Sequence, residues 1–288
     1  MNTSVQTDSL QASSKMPVMF VGHGSPMNAI EDNEFRQAWQ RVGCYFGEGL
    51  RWPRPQLILC VSAHWLTNGW ALTAMERPPT IHDFGGFPPE LHAQQYPAPG
   101  APGLAAQISR LIQQPIKGQA DASSSQDLYL DKGEWGFDHG SWSVLKPMFP
   151  KADIPVVQMS IDYTASAATH FQLGSQLSQL RELGVLILGS GNTVHNLGAM
   201  SRTASNKEAY DWNKSFDNWV AASINDGDLE RLIKFQSLGE TAKLAHPSYE
   251  HYLPILYAAG AARGDDRVEY FSEIYQAKSI AMRSVIWY

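Results

Sequence analysis

The sequence predicts an α/β fold, a single domain in which a mixed, mostly parallel central sheet is flanked by helices. Short β-branched runs alternate with longer segments of helical spacing, which is typical of this fold class. The apolar runs are continuous rather than alternating, as expected for strands covered on both faces. The 288 residues suffice for one large core, and no linker rich in Pro, Gly or Ser divides them.

Six runs of strand length are predicted as strands. The first four are almost entirely apolar and form the predicted sheet core, to which two C-terminal runs are added. In chain order they comprise residues 18–21, 57–62, 156–161, 185–188, 268–271 and 284–287.

Five segments have helical length and spacing. They comprise residues 34–42, 103–112, 141–148, 165–183 and 210–224. The fourth is followed by Gly184, a common stop signal at a helix C terminus. The last carries an apolar stripe on one face, which predicts packing into the core rather than cofactor binding. The stripe consists of Trp212, Phe216, Trp219, Val220 and Ile224.

Charge and composition argue against several classes of function. The chain has 28 acidic and 22 basic residues, a formal net charge of −6 and no dense run of Lys or Arg, so no nucleic-acid partner is expected. Its longest apolar stretches, residues 57–63 and 253–262, are shorter than the ~20 residues that span a bilayer. No membrane association is therefore expected.

Cysteine usage and the N-terminal segment bear on location. The two cysteines, Cys44 and Cys60, do not indicate a disulfide framework and favour the cytoplasm. Residues 1–15 are polar and lack the apolar core of a targeting signal. We expect them to form a disordered tail ahead of a domain that comprises residues 16–288.

Three histidines follow three of the predicted core strands. His23 and His64 come directly after the first and second runs, and His195 follows the fourth. The carboxyl ends of parallel strands are where open α/β sheets bind ligands. Imidazoles that meet there suit zinc, iron, copper or nickel, so we predict a metal site at this edge.

A further ligand is expected from the segment around Glu250 and His251. Ser248 is predicted to cap a helix whose first turn contains both residues, so either side chain could point to the metal. A cationic ring is unfavourable at a helix start, whereas a metal-bound imidazole is neutral.

Two more histidines lie beside carboxylates in segments rich in Gly and aromatic residues. His82 precedes Asp83, and His139 follows Asp138. Both are predicted to contact the substrate or to support the metal ligands. Residues 78–102 around the first of them form a long loop, a feature that is often functional. Neither a G-x-S-x-G elbow, a P-loop, C-x-x-C nor a complete dinucleotide fingerprint occurs.

Taken in order, these histidine motifs resemble those of the class III extradiol ring-cleavage dioxygenases. This family is related to the catalytic subunit of protocatechuate 4,5-dioxygenase, and the resemblance is greatest to its bacterial 4,5-DOPA extradiol branch. The motifs extend over nearly the whole chain. They are GHGSP (22–26), SAHW (62–65), TIHDFGGFP (80–88), WGFDHGSW (135–142), GNTVHN (191–196) and EHYLP (250–254).

The resemblance implies a role for each of five histidines. His23 and His64 take the two metal-histidine positions of the family, and His251 takes the place of the third ligand. His195 takes the position of the acid/base histidine and is a candidate fourth ligand. His139 corresponds to the substrate-contacting histidine. The wider family uses two histidines and one carboxylate, so Glu250 stays an alternative to His251.

The implied reaction opens a catechol ring beside its two hydroxyls with O2, and gives a muconic semialdehyde. The implied cofactor is one divalent metal ion, with Fe(II) expected for catalysis and Zn(II) as an alternative bound species. Two other functions stay open. One is a zinc hydrolase in which the same histidines activate water, and the other is a non-catalytic binding module on the same fold.

Overall fold

The computed structural model describes residues 9–115, 125–201 and 203–288. The strands in these ranges are β1 (Val18–Gly22), β2 (Leu57–Thr67), β3 (Ala71–Thr73), β4 (Gln113–Pro115), β5 (Ser125–Asp127), β6 (Tyr129–Asp131), β7 (Val156–Asp162), β8 (Val185–Gly191), β9 (Val194–His195), β10 (Val268–Phe271), β11 (Tyr275–Gln276), β12 (Ile280–Ala281) and β13 (Ser284–Trp287). The α-helices are α1 (Glu34–Gly43), α2 (Pro89–His92), α3 (Pro102–Leu111), α4 (His139–Met148), α5 (Ala167–Leu177), α6 (Asp211–Asn225), α7 (Glu240–Ala245) and α8 (Leu253–Ala261).

Eight strands form the central sheet, in the order β10-β13-β1-β8-β2-β7-β3-β6. Its four middle strands run parallel to one another and correspond to the four predicted core runs. β13 and β10 extend the sheet in antiparallel pairings and have the predicted bounds. The prediction of a single α/β domain with a mixed, mostly parallel sheet is confirmed.

Successive residues of the core strands alternate between two apolar clusters, one on each face of the sheet. Phe20 and Leu59 pack with α3, α5, α6 and α8, whereas Met19 and Leu188 pack with α1 and α4. All four side chains are buried. Burial of a side chain of this size contributes ~1.5–3 kcal/mol to the free energy of unfolding. The continuous apolar runs of the sequence therefore reflect a sheet covered on both faces.

The predicted helices form with small changes in their bounds. Residues 165–183 form α5 followed by a tighter 3-10 turn, Ser178–Leu183, which ends at Gly184 in the left-handed conformation (φ 70°). The stripe on α6 packs into the core as predicted, with Phe216, Val220 and Ile224 buried. Among the described residues, no helix is long and apolar enough to cross a membrane.

The predicted helix cap at Ser248 is wrong. α8 begins at Leu253, with Pro254 in its first turn, and Glu250 and His251 lie in the turn before it. Proline at this position is preorganised for a helix start. The hydroxyl of Ser248 instead donates to Glu250 Oε1 (2.9 Å). The two candidate ligands therefore lie in a turn and not in the first turn of a helix, so the helix dipole does not decide between them.

The predicted N-terminal tail, residues 1–15, lies only partly within the described residues. Residues 1–8 lie outside the described residues. Within residues 9–15, Ser13 N donates to Glu182 O (2.8 Å), and Lys15 forms an ion pair with Asp266 (2.8 Å). Cys44 and Cys60 are both free. The domain boundary at residue 16 stays a prediction.

The contact between α5 and α8 depends on a glycine. A Cβ at Gly174 of α5 would lie 2.6 Å from the carbonyl oxygen of Tyr257 in α8. We expect Gly174→Ala to lower the free energy of unfolding by ~1–3 kcal/mol, because the helices must separate to admit the methyl group. Urea unfolding measures this change. Gly103→Ala in α3 is the control, since among the described residues an added Cβ there would meet no atom within 4 Å apart from its chain neighbours and its own helix backbone. Equal stability of the two variants would contradict the prediction.

Candidate metal centre

Strands β1, β8 and β2 lie side by side in the sheet, and the two outer ones position His23 and His64. His23 follows β1, and its backbone N–H donates to Gly191 O (3.0 Å). His64 lies in a β-bulge of β2, where the strand advances five residues between positions 61 and 66 while β7 advances two. Bulges re-aim side chains next to active sites. Because β8 lies between the two strands, both imidazoles reach its carboxyl end.

His251 approaches the same point from the turn before α8. Its carbonyl oxygen accepts the N–H of Asn192 (2.8 Å), so the turn is docked on the end of β8. A Cβ at Gly191 would lie 2.2 Å from that oxygen. Only glycine allows this close backbone approach.

The structure brings His23, His64 and His251 together. One ring nitrogen of each lies within 4.8 Å of the others. The Nε2 atoms of His23 and His64 are 3.2 Å apart. The ring of His251 is centred 5.2 Å from that of His23 and 4.9 Å from that of His64.

The second ring nitrogen of His23 identifies its tautomer. Nδ1 lies 3.1 Å from the hydroxyl oxygen of Ser190, and that hydroxyl donates its own hydrogen to Gly140 O. Ser190 can therefore only accept from the imidazole, so Nδ1 carries the hydrogen. This assignment leaves a lone pair on Nε2.

Carboxylates favour the same tautomer, with the hydrogen on Nδ1, in His64 and His251. Asp83 Oδ2 lies 3.3 Å from Nδ1 of His64, and Glu250 Oε1 lies 3.1 Å from Nδ1 of His251. Nδ1 of His251 donates to Glu250, and the negative charge of Asp83 beside Nδ1 of His64 favours the hydrogen on that nitrogen, so the Nε2 of each ring keeps its lone pair. Such partners orient metal-binding histidines and fix their tautomers.

Burial keeps these imidazoles neutral. It lowers the pKa values of His23 and His251 well below the ordinary value of 6.5, and the neighbouring histidines lower them further. Burial also lowers the pKa of His64, with a further contribution from His139. Neutral imidazole is the form that binds a metal.

These residues fit a divalent metal ion. The Nε2 atoms of His23 and His64 face each other at 3.2 Å, although neither carries a hydrogen to share. Metal–nitrogen bonds of ~2.0–2.1 Å place two ligand nitrogens roughly 3–3.5 Å apart. A cation between the lone pairs therefore matches both the spacing and the donor set.

His195 lies beside this cluster. Its ring stacks on that of His251, with centroids 3.5 Å apart and planes within 7°. It shares a second group of potential ligands with Glu250 and His251, so its role as fourth ligand stays a prediction. Burial lowers the pKa of His195 to about 4.

Hydrogen bonds hold the segment that carries His195. Thr193 Oγ1 donates to Asp217 Oδ1 (2.8 Å), and a ring nitrogen of His246 lies 2.7 Å from Thr193 O. Asn196 Nδ2 donates to the carbonyl of Leu244 (2.7 Å). The acid/base candidate therefore lies on a fixed segment.

His139 is the fifth imidazole at the site, and its carboxylate partner is not the one next to it in sequence. Its ring is centred 3.8 Å from that of His64, and its Nδ1 lies 3.0 Å from Asp83 Oδ2. Its neighbour Asp138 caps α4 and accepts the hydroxyl of Ser62 (2.6 Å). Burial raises the pKa of Asp138 to about 6.

The structure does not bring His82 into the cluster. Its Nε2 lies 2.9 Å from Gln94 O, and its ring packs near Trp142. The neighbouring Asp83 faces the site instead. The sequence analysis singled out the adjacent pair His82 and Asp83 but assigned the functional role to the histidine; its position beside His82 was the only signal for Asp83.

Comparisons with known proteins identify relatives over the full chain. A family model described as the catalytic LigB subunit of aromatic ring-opening dioxygenase matches residues 17–286. A protein of Escherichia coli (strain K12) named 4,5-DOPA dioxygenase extradiol is 44% identical, over 98% of each chain. A Beta vulgaris protein of the same name is 34% identical, over 87% of this chain and 88% of that one. A crystal structure of an uncharacterized E. coli K12 protein superposes with a TM-score of 0.76 at 39% identity, and covers 94% of this chain and 99% of that chain.

Removal of the Ser190 hydroxyl should weaken metal binding. We expect Ser190→Ala to raise the dissociation constant for Zn(II) about 10-fold, because Nδ1 of His23 loses its acceptor. Competition with a chromogenic chelator measures this constant. Ser143→Ala is the control, since Ser143 is equally buried and its hydroxyl has no hydrogen-bond partner among the described residues. An unchanged constant in Ser190→Ala would contradict the assigned tautomer.

Acid should destabilise the metal-free protein. The pKa of His195 is about 4 in the folded state against 6.5 for the free side chain, so in this window only the unfolded chain binds the proton. Stability is therefore lost as the pH falls from 6.5 towards 4. We expect His195→Ala to reduce this slope by about 1.4 kcal/mol per pH unit in urea unfolding. A slope equal to that of the unaltered protein would show that the ring titrates normally.

Proposed function

The chain belongs to the family of the catalytic LigB subunit of aromatic ring-opening dioxygenase, and on this premise we propose that its substrate is a DOPA-like catechol. It is an extradiol dioxygenase, which opens a catechol ring beside the diol with O2. The structural observation that supports this metal-dependent activity is the convergence of three neutral imidazoles, with their Nε2 lone pairs together, at the sheet edge.

We propose that His23, His64 and His251 hold the non-heme metal that this family uses. Fe(II) is the proposed ion because, when bound, it supplies the redox chemistry for O2 that zinc lacks. Glu250 contacts Nδ1 of His251 (3.1 Å), which favours the imidazole as ligand and the carboxylate as its support. Zn(II) is expected to bind the same nitrogens without turnover.

His195 is proposed as the residue that transfers protons. Burial keeps its ring neutral at pH 7, so it can accept the proton of a catechol hydroxyl. The same lowered pKa makes its protonated form a stronger acid than a free imidazolium, which favours return of the proton.

His139 is proposed to contact the substrate. Its Nδ1 faces Asp83, so its Nε2 is available to a substrate hydroxyl. Phe84, centred 5.5 Å from its ring, offers an aromatic wall for a catechol. We leave His82 out of the proposed site because its ring bonds to the Gln94 carbonyl.

The DOPA-like substrate is inferred from the names of the relatives. Proteins of Escherichia coli and Beta vulgaris that align over most of this chain are both named 4,5-DOPA dioxygenase extradiol. A zinc hydrolase and a non-catalytic binding module are not favoured by these relatives. A cytoplasmic location stays a prediction.

The decisive assay is oxygen consumption by the anaerobically Fe(II)-loaded enzyme with DOPA and other catechols. We expect oxygen uptake and a muconic semialdehyde, whereas the Zn(II)-loaded enzyme should be inactive. Cleavage between the two hydroxyls, or no uptake with any catechol, would contradict the proposed function.

The same assay tests His195. We expect His195→Ala to bind metal normally but to lose turnover at least ~100-fold, because general acid/base catalysis is removed. His92→Ala, at an exposed histidine, is the control. Undiminished turnover in His195→Ala would exclude the proton-transfer role.

A further inference from the structure

We propose that Asp83 is a positioning residue that orients a metal ligand, His64, and the substrate-contacting His139 through one shared carboxylate. This inference rests on the proposed function for the roles of the two histidines. The geometry itself does not depend on those roles. Asp83 Oδ2 lies 3.3 Å from Nδ1 of His64 and 3.0 Å from Nδ1 of His139.

The other oxygen of Asp83 is also used. Oδ1 accepts the backbone N–H of His139 (2.9 Å), the first residue of α4. A carboxylate at a helix N terminus is favoured by the helix dipole. The carboxylate therefore contacts two ring nitrogens through Oδ2 and is held in place by the helix through Oδ1.

The backbone next to Asp83 is held as well. Ile81 N donates to Phe137 O (2.7 Å), and Thr80 forms a β-bridge with Phe137. The segment that contains Asp83 therefore runs beside the segment that leads into His139. This arrangement delivers the carboxylate between the two imidazoles.

The shared contact has a consequence for both rings. Because the negative charge of Oδ2 lies beside both Nδ1 atoms, it favours on each ring the tautomer that carries its hydrogen on Nδ1 and keeps Nε2 free. For His64 this nitrogen belongs to the metal-binding group, and for His139 it is available to the substrate. Asp83 therefore fixes the placement of the substrate contact relative to the metal ligand.

An asparagine at this position cannot reproduce these contacts. Its single carbonyl oxygen can occupy the position of Oδ2 or that of Oδ1, and its NH2 group then faces an N–H donor at the other position. Asp83→Asn therefore preserves the shape of the side chain but disrupts either the two rings or the helix contact.

The test measures metal affinity and kinetics in Asp83→Asn, His139→Ala and the double variant. We expect Asp83→Asn to raise the dissociation constant for Zn(II) about 10-fold to 100-fold, as for other partners of metal ligands. At saturating Fe(II) we expect its kcat with DOPA to fall about 10-fold or more. In the His139→Ala background, Asp83→Asn should lower kcat no further but should still weaken metal binding, because its effect on turnover acts through His139.

Asp131→Asn is the matched control. Asp131 is a buried carboxylate that accepts backbone N–H groups of Gly133, Glu134 and Trp135. The Asp131→Asn variant should have a lower melting temperature than the unaltered protein but the same affinity for Zn(II). A merely structural role for Asp83 would give the same result as this control.

Two results would overturn the inference: unchanged Zn(II) affinity in Asp83→Asn, or losses of kcat that multiply fully in the double variant. Failure of the proposed function is distinguishable from both. In that case no variant and no unaltered enzyme would turn over a catechol, while the loss of Zn(II) affinity in Asp83→Asn would still report the contact with His64.

Discussion

The site depends on one constraint, which is that three neutral imidazoles present unprotonated nitrogens to the same point. Burial suppresses protonation of His23, His64 and His251. An acceptor on each Nδ1 then keeps the hydrogen away from the shared point. Facing lone pairs repel one another, so the arrangement is suited to a cation between them. Metal binding and tautomer selection are therefore two aspects of a single network.

The sheet supplies the rigid frame for this network. Parallel strands that are buried on both faces end at one edge, and β8 separates the strands that deliver His23 and His64. Two local departures from regular structure place the other imidazoles: the bulge in β2 re-aims His64, and the close approach at Gly191 brings His251 within reach. Such departures are common near active sites, where backbone regularity is exchanged for side-chain placement.

Carboxylates differentiate histidines that are otherwise alike. Glu250 contacts His251, and Asp83 contacts His64 and His139. His195 instead stacks face to face on His251. The proposed roles of ligand, substrate contact and proton-transfer residue therefore rest on where each ring lies as well as on what touches it, because the imidazole itself is the same in all of them.

The sequence by itself determined the four core strands, the two C-terminal strands, most helix bounds and the gathering of His23 and His64 at one edge of the sheet, whereas it left Glu250 and His251 as alternatives. These follow from apolar patterning and from the rule that parallel strand ends share an edge. Only the tertiary structure decided that Asp83 rather than His82 faces the site, that Asp138 caps a helix, and that Glu250 precedes α8. The partner of His23 lies 167 residues away in the chain. Hydrogen bonds between such distant segments depend on how the elements pack, and that information has no local signature in the sequence.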